Sequence, residues 1–272
     1  MRWIAYLLCA VALNLHAEDV RWAVYYDDDA SYEDFRSFKL VVFDRDVHPS
    51  IQPFIAAEKI TLGYLSIGEV ADYHHYFQEI KDEGILTVEN PNWPGSWMVD
   101  LRDPRWASRV IEELVPSVLF KRFTGIFLDT IDDAEYEESL DPAKYKGMKD
   151  AAVKLVKGIR LNYPHIPIML NRGLEIAPQV VQDINMLLVE STYSRYNHTT
   201  KKYEKVPKAE YEAYHQKVKV LQELNPSLEI YTLDYWDPAD TKTVKEIYQF
   251  QRAQGYYPYV ATIDLQKLMV EP

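Results

Sequence analysis

Carboxylates dominate the chemistry-bearing positions of this 272-residue chain. Asp27, Asp28, Asp29, Asp44, Glu69, Asp129, Asp132, Glu190 and Asp234 stand at or just beyond the ends of short apolar runs, together with Asn171 and Arg172. A lone acid there usually caps the next helix. A gathering of acids repels, raises the pKa of its members and costs stability, so assembling many of them points to chemistry. Two kinds of site use such a cluster. One is a hard-cation site built from carboxylate oxygens, but the run from Asp129 to Asp141 lacks the alternating acids and central glycine of a calcium loop. The other is glycoside hydrolysis, in which one carboxylic acid protonates the leaving oxygen and a second carboxylate attacks or activates water. The 21 Tyr and 6 Trp offer flat apolar faces with polar edges, which suit sugars better than metals. Zinc chemistry has no His-x-His or His-Glu-x-x-His to rest on, and serine hydrolysis has no Gly-x-Ser-x-Gly. The expectation is therefore a site without metal or cofactor.

The elements that must position these groups follow from the apolar runs. Arg21–Tyr26, Leu40–Phe43, Ile60–Ile67, Thr124–Leu128, Ile166–Leu170, Met186–Val189, Leu228–Leu233 and Tyr256–Ile263 are near-continuously apolar, as parallel strands covered on both faces should be. Between them lie amphipathic segments at Ser31–Phe38, Pro49–Glu58, Pro104–Arg122, Ala143–Leu161, Glu175–Gln182, Lys208–Leu224 and Thr241–Gln254. Asp103-Pro104, Asp141-Pro142 and Asp240 place a capping carboxylate near a helix start. This alternation predicts an α/β fold, a single-domain (β/α)8 TIM barrel, whose C-terminal strand ends converge on one mouth. A doubly wound sheet would more naturally carry a glycine-rich first turn, and Tyr25-Tyr26-Asp27-Asp28-Asp29 has no glycine. One connection, Gly68 to Asp103, is unusually long and holds Trp93 and Trp97, either as a sugar-binding wall or as packing anchors.

Residues 1–17 read as a signal peptide: a positive start, an apolar stretch from Trp3 to Leu13, and Ala17 before the expected cleavage. Its removal leaves the domain 18–272, takes away Arg2 and Cys9, and shifts the formal net charge from −12 to −13. The exported chain would then lack cysteine, which excludes disulfides, cysteine nucleophiles and cysteine-held metals. The expected location is secreted or periplasmic, with no stable membrane insertion after cleavage. Excess negative charge argues against a nucleic-acid partner. The lysines from Lys201 to Lys219 read as a solvated face.

Ordered blocks along the chain resemble a known family. Gly63-Tyr64-Leu65-Ser66-Ile67-Gly68-Glu69, Trp97-Met98-Val99-Asp100-Leu101-Arg102-Asp103-Pro104-Arg105-Trp106 and Gly125-Ile126-Phe127-Leu128-Asp129-Thr130 are similar to glycoside hydrolase family 114, the endo-α-1,4-polygalactosaminidase family. Leu170-Asn171-Arg172-Gly173, Val189-Glu190-Ser191, Asp234-Tyr235 and Gly255-Tyr256-Tyr257-Pro258-Tyr259-Val260-Ala261 extend the likeness. The resemblance implies an endo-acting hydrolase of galactosamine or N-acetylgalactosamine polymers and suggests the fourth- and sixth-strand acids as its catalytic pair. Those are Asp129, assigned as nucleophile because a short side chain fixes the attacking oxygen, and Glu190, assigned as general acid/base because of its reach. Asp27, Asp44, Tyr64, Glu69, Trp93, Trp97, Asn171, Asp234 and Tyr235 are the expected substrate-binding residues. An acidic mouth would attract a partly deacetylated, cationic polysaccharide. A non-catalytic sugar-binding barrel is the alternative, disfavoured by the presence of both Asp129 and Glu190.

Overall fold

The computed structural model describes residues 21–272, so the expected signal peptide lies outside the described residues. Eight parallel strands form one sheet: β1 (Trp22–Tyr25), β2 (Leu40–Phe43), β3 (Ile60–Ser66), β7 (Gly125–Asp129), β8 (Ile168–Asn171), β9 (Met186–Glu190), β12 (Glu229–Tyr235) and β13 (Tyr257–Ala261), side by side in that order. The first and last strands meet where the Trp22 indole donates to the Tyr257 carbonyl (2.8 Å) and stacks edge-on against Tyr231. The result is the expected single-domain (β/α)8 barrel, nearly closed. Its strands are buried along almost their whole length because the interior is filled by side chains and the exterior is covered by helices.

The helices are α1 (Gln52–Ala56), α2 (Phe77–Asp82), α3 (Pro104–Arg109), α4 (Val115–Phe120), α5 (Asp133–Leu140), α6 (Met148–Asn162), α7 (Ala177–Val180), α8 (Lys208–Leu224) and α9 (Thr241–Ala253). Asp103 and Asp240 cap α3 and α9 through their carboxylates, as expected. Asp141 does not cap a long helix. It accepts from the backbone of Ala143 and Lys144 in a turn, and α6 starts only after Gly147, whose φ of 92° breaks the helical path. Between α3 and α4 the chain widens into a π turn at Val110–Leu114, just before Pro116, which has no N–H to continue the regular ladder. Two predicted helices shrink to the short α1 and α7, and the expected Ser31–Phe38 helix is a single 3₁₀ turn, Tyr32–Phe35.

Two small antiparallel sheets rise from the mouth. The long connection after β3 folds into β4 (Glu69–Ala71), β5 (Leu86–Glu89) and β6 (Ser96–Val99), with α2 between the first two. After β9 the chain forms a hairpin of β10 (Ser194–Asn197) and β11 (Lys202–Lys205). No described helix is long and apolar enough to cross a membrane.

Candidate active site

Three neighbouring strands end in the residues that meet at the mouth. β7 ends on Asp129, β8 on Asn171 and β9 on Glu190, and all three side chains point inward with the alternate positions Phe127, Met169 and Leu188. The next residue in each case, Thr130, Arg172 and Ser191, has a positive φ of 65°, 57° and 56°. Such backbone is uncommon outside glycine, and here it turns the chain sharply away once each functional group has been delivered. Gly68 makes room for one of these turns: a Cβ there would collide with the Thr130 carbonyl, and its N–H donates to the Thr130 hydroxyl (2.8 Å).

The Asn171 side-chain amide joins the two acids. Its Nδ2 donates to Asp129 Oδ1 and to Glu190 Oε2, each at 2.8 Å. The two oxygens therefore stand no more than twice that distance apart. With amide hydrogens diverging by roughly 120°, the separation is about 4.9 Å. The second oxygen of Glu190 accepts from the Tyr235 hydroxyl (2.7 Å). Burial raises the Asp129 pKa to about 6, the Glu190 charge adds to the rise, and the Asn171 amide and Tyr64 hydroxyl oppose it. Tyr64 and Tyr26 cross edge to face at 5.4 Å. Both phenols are pushed well above their ordinary range, first by burial and then by the charge of Asp129. Tyr26 was not among the expected site residues. Its signal was its place at the end of the first strand, immediately before Asp27.

Arg172 is the cation of this mouth. It sits 3.7 Å from Asp132, whose pKa burial raises and Arg172 lowers, and it also feels Glu190.

Five of the other expected residues lie around the mouth in two groups. Tyr64, Asn171 and Tyr235 surround the central pair, while Asp44 and the Asp27–Asp29 run lie on the β1–β2 side. Asp44 accepts from the backbone of Asp46 and Val47. The carboxylates of Asp27, Asp28 and Asp29 lie within 4.8 Å of one another, close enough to share a cation, but they face solvent as free acidic clusters commonly do.

Glu69 and Asp234, both expected to bind substrate, are buried and engaged by protein donors. Asp234 is fully buried and points outward, because its neighbour Tyr235 takes the inward direction and adjacent strand residues alternate. It accepts from Tyr193 N, Ser194 N and Gln251 Nε2, which pins the base of the β10–β11 hairpin. Burial raises its pKa to about 6. Glu69 is also buried and accepts from Asn90 (2.6 Å) and from the Ser96 hydroxyl, which pins the β5–β6 turn. Beside it, Asp133 has a buried Oδ2 with no hydrogen-bond donor, and burial followed by the Glu69 charge pushes its pKa up to about 10. Trp97 lies half-buried on β6, packed on the core, whereas Trp93 on the β5–β6 turn is 53% exposed. The two tryptophans thus divide between anchor and wall.

Residues 10–271 match the model of glycoside-hydrolase family GH114. The chain belongs to that family. It is 26% identical over 232 residues to an uncharacterised protein of Methanocaldococcus jannaschii, covering 79% of this chain and 64% of that protein's length. An uncharacterised protein of Deinococcus radiodurans is 27% identical over 249 residues, covering 86% of this chain and 76% of the other. The fold is similar to the glycoside hydrolase domain of PelA from Pseudomonas aeruginosa, with a TM-score of 0.82 and 22% identity over 92% of this chain and 98% of that one. It is also similar to Aspergillus fumigatus Ega3, solved with galactosamine, with a TM-score of 0.66 and 14% identity over 91% and 92% of the two chains. Family membership makes the protein a glycoside hydrolase and a carbohydrate its substrate.

Proposed function

We propose that the protein is an exported, endo-acting hydrolase of α-1,4-linked galactosamine or N-acetylgalactosamine polysaccharide, working by retention with Asp129 and Glu190. The observation that carries the mechanism is the Asn171 bridge, because about 4.9 Å between carboxylate oxygens fits a retaining pair (roughly 5–5.5 Å) and leaves too little room for the water of an inverting one. The galactosamine bound to Ega3 supports the choice of sugar. An Asp129 oxygen attacks the anomeric carbon while Glu190 gives its proton to the departing glycosidic oxygen. Water then attacks the same carbon, Glu190 takes the water's proton, and Asp129 is released. Asn171 and Tyr64 hold the attacking carboxylate, and Tyr235 orients Glu190.

A second reading exchanges the two roles. The raised Asp129 pKa, together with the two donors already on Glu190, favours the pair's single proton on Asp129 in the free enzyme. Galactosamine and N-acetylgalactosamine oligomers analysed by mass spectrometry test the activity. Adding azide to Asp129→Ala and Glu190→Ala separates the roles. Loss of the nucleophile should give a glycosyl azide of inverted configuration, and loss of the acid/base one of retained configuration. Intact oligomers after prolonged incubation would overturn the proposed substrate.

A further inference from the structure

Five aromatic rings run in contact along the rim, outside the central pair. Trp93 on the β5–β6 turn meets His198 (5.4 Å), His198 meets Tyr196 (5.3 Å), Tyr196 meets Tyr203 (5.3 Å), and Tyr203 meets Trp236 (6.4 Å). The sequence builds this line from two separate insertions and from Trp236, which follows β12. The β10–β11 hairpin has two unlike faces. Arg195, Asn197 and Glu204 bind one another on one face, whereas Tyr196 and Tyr203 are a directly opposed pair on the other. The hairpin turn is fixed by the Asn197 side chain, which accepts from Thr199 and Thr200, and this holds His198 at the tip. Each insertion is anchored by a buried carboxylate, Glu69 beneath Trp93 and Asp234 beneath the hairpin.

Trp93 is 53% exposed, and the other four are half-buried, with Tyr196, Tyr203 and Trp236 resting one side on the core. Their polar edges are partly committed: the Trp236 indole donates to Asp240 (3.1 Å), and the Tyr203 hydroxyl accepts from Ile263 N (3.3 Å). Orientation is thereby set while each ring keeps part of its surface in solvent. The line bridges the two insertions that rise from the mouth, one following β3 and the other following β9, the strand that ends on Glu190.

We propose that these rings form a sugar-binding track for the hexosamine units that lie beyond the scissile bond. The track extends the hydrolase site proposed above and rests on that reading. Pyranose rings present C–H faces that pack on aromatic rings, and the flanking hydroxyls reach the polar edges. Because Trp93 belongs to one insertion and His198 to another, the polymer would lie along a seam where the two insertions meet. Each additional sugar would then add contact area, so affinity rises with chain length.

Galactosamine oligomers of increasing length, titrated calorimetrically into Asp129→Asn protein, test this. Affinity of that parent should climb with length. In the same background Trp93→Ala and Tyr196→Ala should each cut the long-to-short affinity ratio about tenfold, Trp93→Phe should restore most of it, and binding of long oligomers should shift the tryptophan emission of the parent. Folding is checked by unchanged near-ultraviolet dichroism outside the aromatic loss. If the parent discriminates by length and the ring variants do so equally well, the track is overturned while the hydrolase reading stands. If the parent binds no oligomer of any length, both fall.

Discussion

Two carboxyl pairs sit close together at the end of β7, and the chain treats them in opposite ways. Asp129 and Glu190 are held apart by a shared donor, with Asn171 supplying one N–H to each. Glu69 and Asp133 have no donor between them, Asp133 Oδ2 lacks a hydrogen-bond partner, and burial with the Glu69 charge beside it pushes the Asp133 pKa up to about 10. The first pair keeps both carboxylates at the mouth, where burial and then the Glu190 charge raise the Asp129 pKa to about 6. The second is a buried clasp that joins α5 to the β4–β6 insertion. What separates the proposed catalytic pair from the buried one is a single amide, not the number of acids.

The largest effect that would sharpen this contrast is on turnover. Asp129→Asn and Glu190→Gln should each lower kcat at least about a thousandfold, whereas Asp133→Asn, an isostere of the protonated acid, should keep it within about threefold, measured on oligomer cleavage. Equal losses in all three would break the distinction.

The next effect is on stability. The folded-state pKa of Asp129 lies above its unfolded value of 3.8, so its contribution is favourable at low pH and is lost as pH rises through about 6. Asp129→Asn should therefore gain up to about 3 kcal/mol at pH 8, read from urea unfolding. Asp133 follows the same sign over a wider window, from 3.8 to about 10, so Asp133→Asn should flatten the pH dependence between pH 4 and 8. Glu69→Gln should instead destabilise by about 1–3 kcal/mol, because the Asn90 amide and the Ser96 hydroxyl both donate to its carboxylate.

A smaller effect concerns the pH profile. Asp129 must be ionised to attack, so kcat/KM should rise through an acidic limb with an apparent pKa near 6, whereas exchanged roles would give an alkaline decline there. Asn171→Ala removes a donor that favours the Asp129 anion and should move that limb upward by roughly one unit. An unmoved limb would detach the amide from the tuning. Smallest is the salt response: replacing Asp27, Asp28 and Asp29 with Asn should weaken the dependence of polymer affinity on ionic strength, and do less to a fully N-acetylated polymer.

The barrel was legible because eight apolar runs each need two covered faces, and the glycine-free first turn, Tyr25 to Asp29, weighed against the doubly wound sheet that also provides them. Asp129, Asn171 and Glu190 were legible as strand ends. Their partnership was not, since an amide between two acids depends on strands brought together by the fold. Asp234 misled because strand alternation, read from Tyr235, had to be applied one residue further. Glu69 misled because its donors, Asn90 and Ser96, lie in a connection whose small sheet has no strong period. Helix α5 escaped because its acidic sequence, Asp133 to Leu140, carries little apolar periodicity.

The left-handed residues after β7, β8 and β9 set a price on improvement by selection. Glycine at Ser191, whose φ is 56°, would relax the local backbone, so a screen for heat tolerance should recover it early. The same substitution loosens the turn that fixes Glu190, and a screen for turnover should discard it. A library sorted both ways would therefore expose positions 130, 172 and 191 as the places where durability and speed are traded against each other.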